Sequence, residues 1–287
     1  MSAPVVSSAP AESSRPSWLP RATPKNLIAF LITLILVVGE WSYGIAGGYK
    51  HIALTLGACV LTEIAFSLLL LKKFPRLQSA YISGISLTLL LRPQAGLIWP
   101  FLIGAGLSIS SKYVLRYRGR HLWNPSNFGL AALVLIAPDR VALLSHELGN
   151  ALAGNAVIWF VGLLVASRAR VLHITITYVL CFSALAVMRG FITGSPLLAE
   201  LAPLTGPMYQ LLVFFMLTDP PTTPATKIGR MWTVAAIALL ESVFRLANDF
   251  DWPGAALVAP APPIIALALI GPIALAISLR RQAKGSE

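Results

Sequence analysis

Long apolar stretches occupy most of this chain, and short basic or proline-rich segments separate them. Of its 287 residues, 56% are hydrophobic and only 11% are charged. A soluble domain of that composition would lack the polar side chains needed to cover its surface, so most of the apolar side chains must face lipid. The sequence therefore predicts an all-α, polytopic integral membrane protein.

Ten apolar segments are candidates for membrane crossings. They cover residues 26–48, 51–71, 79–93, 95–111, 122–137, 150–167, 171–191, 206–220, 231–247 and 255–279. The first is too long for the apolar core of a signal peptide and lacks a convincing small-residue cleavage site. The apolar runs that begin at Ser79, His121 and Gly206 are shorter than the ~20 residues that a spanning helix needs, so we expect each to be part helix and part extended chain.

The basic residues indicate how these segments are oriented. With the N-terminus inside, all but five of the 22 Lys and Arg residues fall on cytoplasmic connections. The five exceptions are Lys50, Arg92, Arg140, Arg189 and Arg245. This bias is the usual cytoplasmic excess of positive charge, and it explains the net charge of +11 without nucleic acid as a partner. We expect a bacterial-type inner membrane protein with two cytoplasmic tails, residues 1–25, which we expect to be disordered, and 281–287.

Two stretches of the chain contain similar motifs in the same order, as an internal repeat would. The first carries SGISLTLLLRPQ, an apolar segment, SKYVLR and HLWNPSNFGLAALVL; the second carries YQLLVFFMLTDPPTTP, an apolar segment, ESVFRL and DFDWPGAALVAPAPP. Pro93 and Pro125 are 32 positions apart, and Pro220 and Pro253 are 33. Five crossings in each half would turn the second copy upside down. We therefore expect two inverted repeats, residues 26–149 and 150–280, which usually build a polar site at the bilayer midplane from broken helices.

Residues 218–226, TDPPTTPAT, form the clearest break in an apolar segment. Three prolines remove backbone donors and end the preceding helix, which leaves carbonyl groups free. Irregular backbone at membrane depth is tolerated only where protein or a water-filled cavity covers it. Thr218, Asp219, Thr222, Thr223 and Thr226 are then hydroxyls and one carboxylate suited to a polar ligand. The alternative is an ordinary cytoplasmic loop in which these side chains cap the next helix.

The stretch HLWNPSNFG, residues 121–129, is a second candidate break. Asn124 and Asn127 bring amide groups to the start of a short helix, whose free N–H groups favour an anionic or carbonyl-rich ligand. Alternatively, Asn124 and Pro125 simply start a helix, with Pro in its first turn.

A basic run precedes that stretch. We interpret Arg118 and Arg120 as a topology signal that faces lipid headgroups. Lys112 and Arg116, about one turn apart at a helix end, are candidates either for that role or for contact with an anionic ligand.

Three of these segments in combination resemble a known family. SGISLTLLLRP, RGRHLWNPSNFGL and FFMLTDPPTTP are similar to motifs of the integral membrane flavin subunits of the Rnf electron-transport complex (its D subunit) and the sodium-pumping NADH:quinone oxidoreductase (its B subunit). The resemblance runs from about Ser79 to Pro224 and implies ten helices in an inverted repeat, similar in fold to urea transporters. It also implies a membrane-held flavin, FMN or riboflavin, that exchanges electrons with other electron-transfer subunits, redox proteins or quinone.

The resemblance implies a set of flavin-binding positions. They are Ser83, Gly84, Thr88, His121, Asn124, Pro125, Asn127, Thr218, Asp219, Thr222 and Thr223, to which Lys112 and Arg116 are added from their place at the helix end. Relatives commonly anchor FMN through a phosphoester to a Thr in an SGAT- or GETS-like string. No such string occurs here, and Thr193 in ITGSP and Thr205 in LTGP match poorly, so we expect a noncovalent flavin.

Two carboxylates lie in the middle of predicted crossings, Glu63 in the second and Glu241 in the ninth. A charged carboxylate facing lipid would cost a few kcal/mol, so both should face the interior of the bundle. They are candidates for a coupling-ion or proton pathway. Equally, they can pair with Arg92, Arg189 or Arg245, or stay protonated.

Other functions stay open at this point. A transporter or channel for a small polar solute would use the same scaffold, and so would a cofactor-free subunit that docks partners. The histidines His51, His121, His146 and His173 lie near the ends of crossings, where bis-His haem ligation is conceivable. Two cysteines cannot bind an iron–sulfur cluster within one chain, and the sequence has no phosphate-binding loop, HExxH helix or GxSxG elbow.

Overall fold

The computed structural model describes residues 24–44, 46–143 and 152–284. Residues 1–23 and 285–287 of the predicted tails, His146 and the boundary between the predicted repeats lie outside those ranges. Of the described residues, 76% are helical and 3% are in strands. This confirms the prediction of a mostly helical fold.

Twelve α-helices are described, and we number them in chain order. They are α1 (Pro24–Tyr43), α2 (Tyr49–Phe66), α3 (Gln78–Leu90), α4 (Trp99–Val114), α5 (Pro125–Ile136), α6 (Leu152–Arg168), α7 (Leu172–Thr193), α8 (Leu197–Leu201), α9 (Pro207–Leu211), α10 (Lys227–Asp249), α11 (Ala255–Val258) and α12 (Pro262–Lys284). Single π-helical turns extend α2 through Leu71 and α9 through Met216, and 3-10 turns cover Ala202–Thr205 and Pro220–Thr222.

Four two-residue strands pair as two small antiparallel ladders. β1 (Arg92–Pro93) pairs with β4 (Val141–Ala142), and β2 (Arg116–Tyr117) pairs with β3 (Arg120–His121).

Four of the described helices are long and apolar enough to cross a membrane. They are Tyr49–Leu71, Leu172–Thr193, Lys227–Asp249 and Pro262–Lys284, and a fifth span is added if the bent pair Leu197–Thr205 and Met208–Met216 counts as one broken crossing. Helices of this length and composition indicate a multi-pass membrane protein surrounded by lipid.

The three apolar segments predicted to be too short for a full crossing are short helices in the structure. α3 has 13 residues, α5 has 12, and α9 and its π-helical continuation have five each. Pro93 follows α3, Pro125 begins α5 and Pro220 follows α9, because proline lacks the N–H group that helix continuation needs. The prediction that these helices are too short for a full crossing is therefore confirmed, and the residues beside them are extended after α3 and mainly turns after the π-helical continuation of α9.

The helices pack in pairs that recur along the chain. In the first half, α2 packs on α4, α4 on α5, and α1 on α3. In the second half, α7 packs on α10, α10 on α12, and α6 on α9. The halves meet where α1 contacts α6 and where α5 contacts α12.

Helices α4 and α5 cross closely because glycines face each other at the crossing. A Cβ atom on Gly129 of α5 would lie 2.0 Å from Ser108 Oγ and 2.8 Å from the Gly104 carbonyl oxygen of α4. A larger residue at position 129 would push the two helices apart. This crossing holds the first turn of α5 at a fixed place beside the second half.

Candidate functional site

A single segment of the first half, residues 118–127, donates hydrogen bonds to five places in the second half. The donors are Arg118, Arg120, Trp123, Asn124 and Asn127, and the acceptors are Leu279, the Pro220–Thr223 turn, Ala268, Asp219 and Ile264. We call this contact the seam. It joins the two segments, HLWNPSNFG and TDPPTTP, that the sequence marks as breaks.

A tight hairpin positions Arg118 and Arg120, the two arginines of the seam. Arg118 and Gly119 form its two-residue turn, with φ of +48° and +79°, between β2 and β3. Two consecutive positive φ values are typical of a type I′ turn, which suits the twist of a hairpin and favours glycine. Arg118 Nη1 donates to the Leu279 carbonyl near the end of α12 at 3.3 Å.

The hydroxyl of Tyr117, also in this hairpin, accepts a hydrogen bond from Arg280 Nε at 3.3 Å. That bond lowers the pKa of Tyr117 below its usual value. The hairpin is thus held against the end of α12 by two different arginines, Arg118 and Arg280.

Arg120 binds the carbonyl groups of the TDPPTTP turn. Its Nη2 lies 2.9 Å from the Pro220 oxygen, its Nε lies 3.1 Å from the Pro221 oxygen, and Nη2 also contacts the Pro221 oxygen. The carbonyl of Pro220 would bond the N–H four residues later in a helix, but that residue is Pro224. The planar guanidinium supplies the donors that the prolines cannot. Arg120 therefore has a structural partner inside the protein, in addition to the topological role expected from the sequence.

Trp123 bonds a backbone carbonyl that a proline inside α12 leaves free. Pro272 lies within that helix and has no N–H group to donate to the carbonyl of Ala268, four residues earlier. The indole Nε1 of Trp123 donates to that carbonyl at 2.8 Å. A first-half side chain thus replaces a missing backbone bond of a second-half helix.

Asn124 links the start of α5 to Asp219. Its Oδ1 accepts from the Asn127 backbone N–H at 3.2 Å and from Ser126 Oγ at 2.9 Å, which caps the helix as its sequence position predicts. Its Nδ2 donates to Asp219 Oδ2 at 3.3 Å. Thr222 Oγ1 donates to the same carboxylate oxygen at 3.0 Å. One carboxylate therefore holds both breaks together.

Asn127 reaches the first turn of α12. Its Nδ2 donates to the Ile264 carbonyl at 3.0 Å, and the residue is almost fully buried. Its Oδ1 is buried without a hydrogen-bond partner in the described part of the chain. Such an atom usually bonds a water molecule or a ligand group.

The loop interpretation of TDPPTTPAT is correct in one respect. Thr226 caps α10 by accepting the Gly229 N–H at 3.1 Å. Arg230 Nε closes the loop by donating to the Pro224 carbonyl at 2.8 Å. Asp219 does not share this capping role, because it lies before the turn and accepts from Asn124 and Thr222.

The seam leaves little free space. Met216, Thr222, Thr223, Arg230 and Thr233 contribute to the lining of a cavity of about 10 Å³ beside the break. That is about the space of one water molecule, whereas ligand pockets usually hold about 300 to 1,000 Å³.

The predicted flavin-binding residues fall into separate groups. The seam brings together Asn124, Pro125, Asn127, Asp219, Thr222 and Thr223, with His121 in β3 beside them and Thr218 donating to the Phe214 carbonyl. Ser83, Gly84 and Thr88 are buried on α3. There, Gly84 packs against Leu56 and Cys59 of α2, and Thr88 Oγ1 donates to the Gly84 carbonyl. Those contacts do not join the α3 residues to the seam.

Lys112 and Arg116 also have other partners. Lys112 Nζ forms an ion pair with Glu63 Oε2 at 2.5 Å, and Tyr113 Oη donates to Glu63 Oε1 at 3.0 Å. Arg116 donates to the Gly119 carbonyl within its own hairpin. In the structure, Lys112 neutralises the interior carboxylate of Glu63, and this is the partner found for it in place of the anionic ligand considered from the sequence.

Glu241, on α10 in the second half, is the other interior carboxylate and is fully buried. It accepts from Tyr178 Oη at 2.5 Å, from Arg245 Nε at 3.1 Å and from Tyr209 Oη. The pairing with Arg245 is one of those expected from the sequence. Both oxygens of each carboxylate, Glu63 and Glu241, are thus occupied by protein donors.

A polar cavity lies beside Glu241 and the side chains that donate to it. Glu200, Arg245, Asn248 and Asp249 contribute to its lining, and its volume is about 210 Å³. Arg189, fully buried, donates to Glu200 at 2.8 Å and to Ser242 Oγ at 3.1 Å.

Among residues 24–44, 46–143 and 152–284, no group of three or more His, Cys, Asp or Glu side chains is placed to bind a metal ion.

Comparison of the chain with protein-family models and with curated proteins finds no match. The fold and composition define its class as a multi-pass, helical membrane protein.

Proposed function

We propose that the chain is a membrane-embedded electron-transfer subunit similar to the flavin subunits of the Rnf complex. The observation that carries this proposal is the contact between Asn124 and Asp219. These residues belong to two of the three motifs on which the resemblance rests, and they are 95 positions apart in sequence. Motifs that share one site are expected to meet in space, and these do.

The repeated helix pairs support two repeats of five crossings each. α2 on α4 corresponds to α7 on α10, α4 on α5 to α10 on α12, and α1 on α3 to α6 on α9. With ten crossings, the charge bias of the connections puts both termini in the cytoplasm. Inversion of the second repeat, residues 150–280, follows from the odd number of crossings in the first, residues 26–149.

The cofactor implied by the resemblance is a noncovalent flavin, but its isoalloxazine ring does not fit the seam as the side chains stand. The cavity there holds about one water molecule. Asn124 and Thr222 are bonded to Asp219 rather than aimed into open space. A flavin at the seam would require these groups to separate.

The absorption spectrum of the purified protein tests the proposal. We expect flavin bands in the blue region, and we expect the flavin to leave the polypeptide in denaturant, so that a denaturing gel shows no fluorescent protein band. A fluorescent band with an FMN mass adduct on Thr193 or Thr205 would show covalent attachment instead. A protein purified without flavin bands from cells that make flavin would contradict the proposal.

A second candidate function is a cofactor-free membrane subunit that docks partners. The mutual bonding of the seam's polar groups favours it, because donors and acceptors that satisfy each other hold two halves together without a ligand. A solute transporter on the same scaffold would have to use the polar cavity beside Arg245 instead of the seam. In either case the purified protein would lack flavin bands, and only the transporter would move a solute across reconstituted vesicles.

A further inference from the structure

A long groove runs between α10 and α12 and opens toward the surface of the protein. Its volume is about 760 Å³, the largest of the cavities described above. The beginning of α10 and the end of α12 line the same groove, so these two helices run in opposite directions. The groove therefore occupies the half of each of these two candidate spans that is nearer to the end of α12.

Small residues make the groove deep, and large apolar residues form its rims. Ala236 of α10 and Ala274 of α12 are part of its lining and fill little space between the helices. Trp232, with 73% of its surface exposed, and Ile277 border it as exposed apolar side chains. A channel of this shape, open to lipid on one side, matches an acyl chain.

One end of the groove is polar and positively charged. Arg281, Gln282 and Ser278 of α12 line that end, and the first turn of α10, with Ile228 and Gly229, lies across from them. The N-terminus of a helix carries partial positive charge and favours anions. None of the described residues that line the groove is acidic.

We propose that this groove binds an anionic glycerophospholipid, with an acyl chain along Trp232 and the phosphate at Arg281. The charge of the polar end selects this ligand, because basic pockets between helices at the cytoplasmic face bind acidic headgroups. A zwitterionic lipid would gain the apolar contact but less from Arg281. The inference stands on the groove alone and does not require the proposed electron transfer.

Trp232 provides a local probe for the test. The protein is reconstituted in phosphatidylcholine bilayers that contain an increasing mole fraction of either phosphatidylglycerol or phosphatidylcholine with brominated acyl chains, which quench tryptophan fluorescence on contact. The signal of Trp232 is the difference between the wild type and Trp232→Phe. We expect brominated phosphatidylglycerol to quench Trp232 at about a tenfold lower mole fraction than brominated phosphatidylcholine does.

Two neighbouring arginines give a matched pair of variants. Arg281→Gln removes the charge from the groove and should abolish the preference for phosphatidylglycerol, while quenching by both lipids continues. Arg280→Gln removes a charge that contacts Tyr117 outside the groove lining, and it should keep the preference. Because both side chains are exposed, thermal unfolding of Arg281→Gln should match the wild type, and that of Arg280→Gln should change only by the loss of its exposed hydrogen bond to Tyr117.

Three results would overturn the proposal. Equal quenching by the two lipids in the wild type would show ordinary contact with bulk lipid. A preference that survives Arg281→Gln would place the headgroup elsewhere. Quenching by neither lipid would show that a protein partner, a quinone or a flavin covers the groove.

Discussion

The indole nitrogen of Trp123 lies 2.8 Å from the carbonyl oxygen of Ala268, the carbonyl that Pro272 leaves without a helical partner. A side chain from one half of the chain therefore repairs the backbone of the other half. The same relation holds for Arg120, whose guanidinium binds the carbonyls of a turn that contains three prolines. These contacts make the stability of the two halves interdependent, and the dependence can be measured.

Trp123→Phe should lower the free energy of unfolding by at least about 1 kcal/mol, because a smaller aromatic ring remains but the hydrogen bond is lost. Pro272→Ala restores an N–H group that can bond the Ala268 carbonyl. The cost of Trp123→Phe should therefore shrink in the Pro272→Ala background, which a double-mutant cycle measured by thermal unfolding in detergent will detect. Equal costs in both backgrounds would show that the indole bond contributes nothing.

Arg120→Lys should destabilise the protein by about 1 to 3 kcal/mol, because a single ammonium group cannot bond the carbonyls of Pro220 and Pro221 together in the geometry of a guanidinium. Arg116→Lys is the control, since Arg116 contacts only its own hairpin among the bonds described for it. Thermal unfolding of both variants gives the comparison. If the two substitutions have the same effect, the turn does not depend on Arg120.

Asp219→Ala removes the acceptor shared by Asn124 and Thr222 and should cost about 1 to 3 kcal/mol of stability. If the seam also binds the flavin, flavin affinity should fall by roughly ten- to hundredfold, which corresponds to the same range of free energy. Thr222→Val should act in the same direction, and Asp139→Ala, at an exposed carboxylate, is the control. Flavin content and melting temperature are measured on the same preparations.

The two readouts of that experiment separate the candidate functions. Variants that melt earlier but keep all their flavin would remove the Asp219 contact from the flavin site. Variants that lose flavin while their melting temperature barely changes would assign Asp219 to ligand binding.

Glu241→Gln should be among the most destabilising single changes, because it leaves the Arg245 guanidinium without its counter-charge in the protein interior. Breaking a buried pair costs about 3 to 5 kcal/mol, and somewhat less is expected here because part of Arg245 is exposed. Combining it with Arg245→Met should recover part of that loss. Glu63→Gln combined with Lys112→Met should likewise recover part of the stability lost in Glu63→Gln. If the double variant at Glu241 and Arg245 is no more stable than Glu241→Gln alone, loss of the ion pair does not explain the destabilisation.

Membrane orientation can be tested with single cysteines after replacement of Cys59 and Cys181. Cysteine at position 139 or 251 should react with an impermeant maleimide added outside, because both positions are exposed and belong to predicted outer connections. Cysteine at position 73 or 116 should react only after the membrane is opened. Labelling of position 73 from outside would show that the orientation is the opposite of the predicted one.

Much of the helical layout was predictable, because it depends on local signals. Apolar runs located the helices, and Pro93, Pro125 and Pro220 marked where short helices end or begin. Arg245 was one of three arginines expected as partners of Glu63 or Glu241, and its pairing with Glu241 follows helix geometry, since residues four apart share one helix face.

The contacts that join distant segments were not predictable from local patterns. Nothing in the sequence near Glu63 identifies Lys112 as its partner, and Arg120 reads as an ordinary cytoplasmic charge. One signal was available for the seam: Pro272 inside an apolar segment leaves a carbonyl in need of a donor, although it does not say that Trp123 supplies it.

The dependence of one half on the other also sets an order of events during synthesis. Trp123 is synthesised 145 residues before the carbonyl that it bonds. Until the second half has been made, the indole of Trp123 and the guanidinium of Arg120 lack the acceptors that the folded protein gives them. The nascent first half is therefore an incomplete folding unit, because several of its donors have acceptors on α12, the last of the described helices to be made.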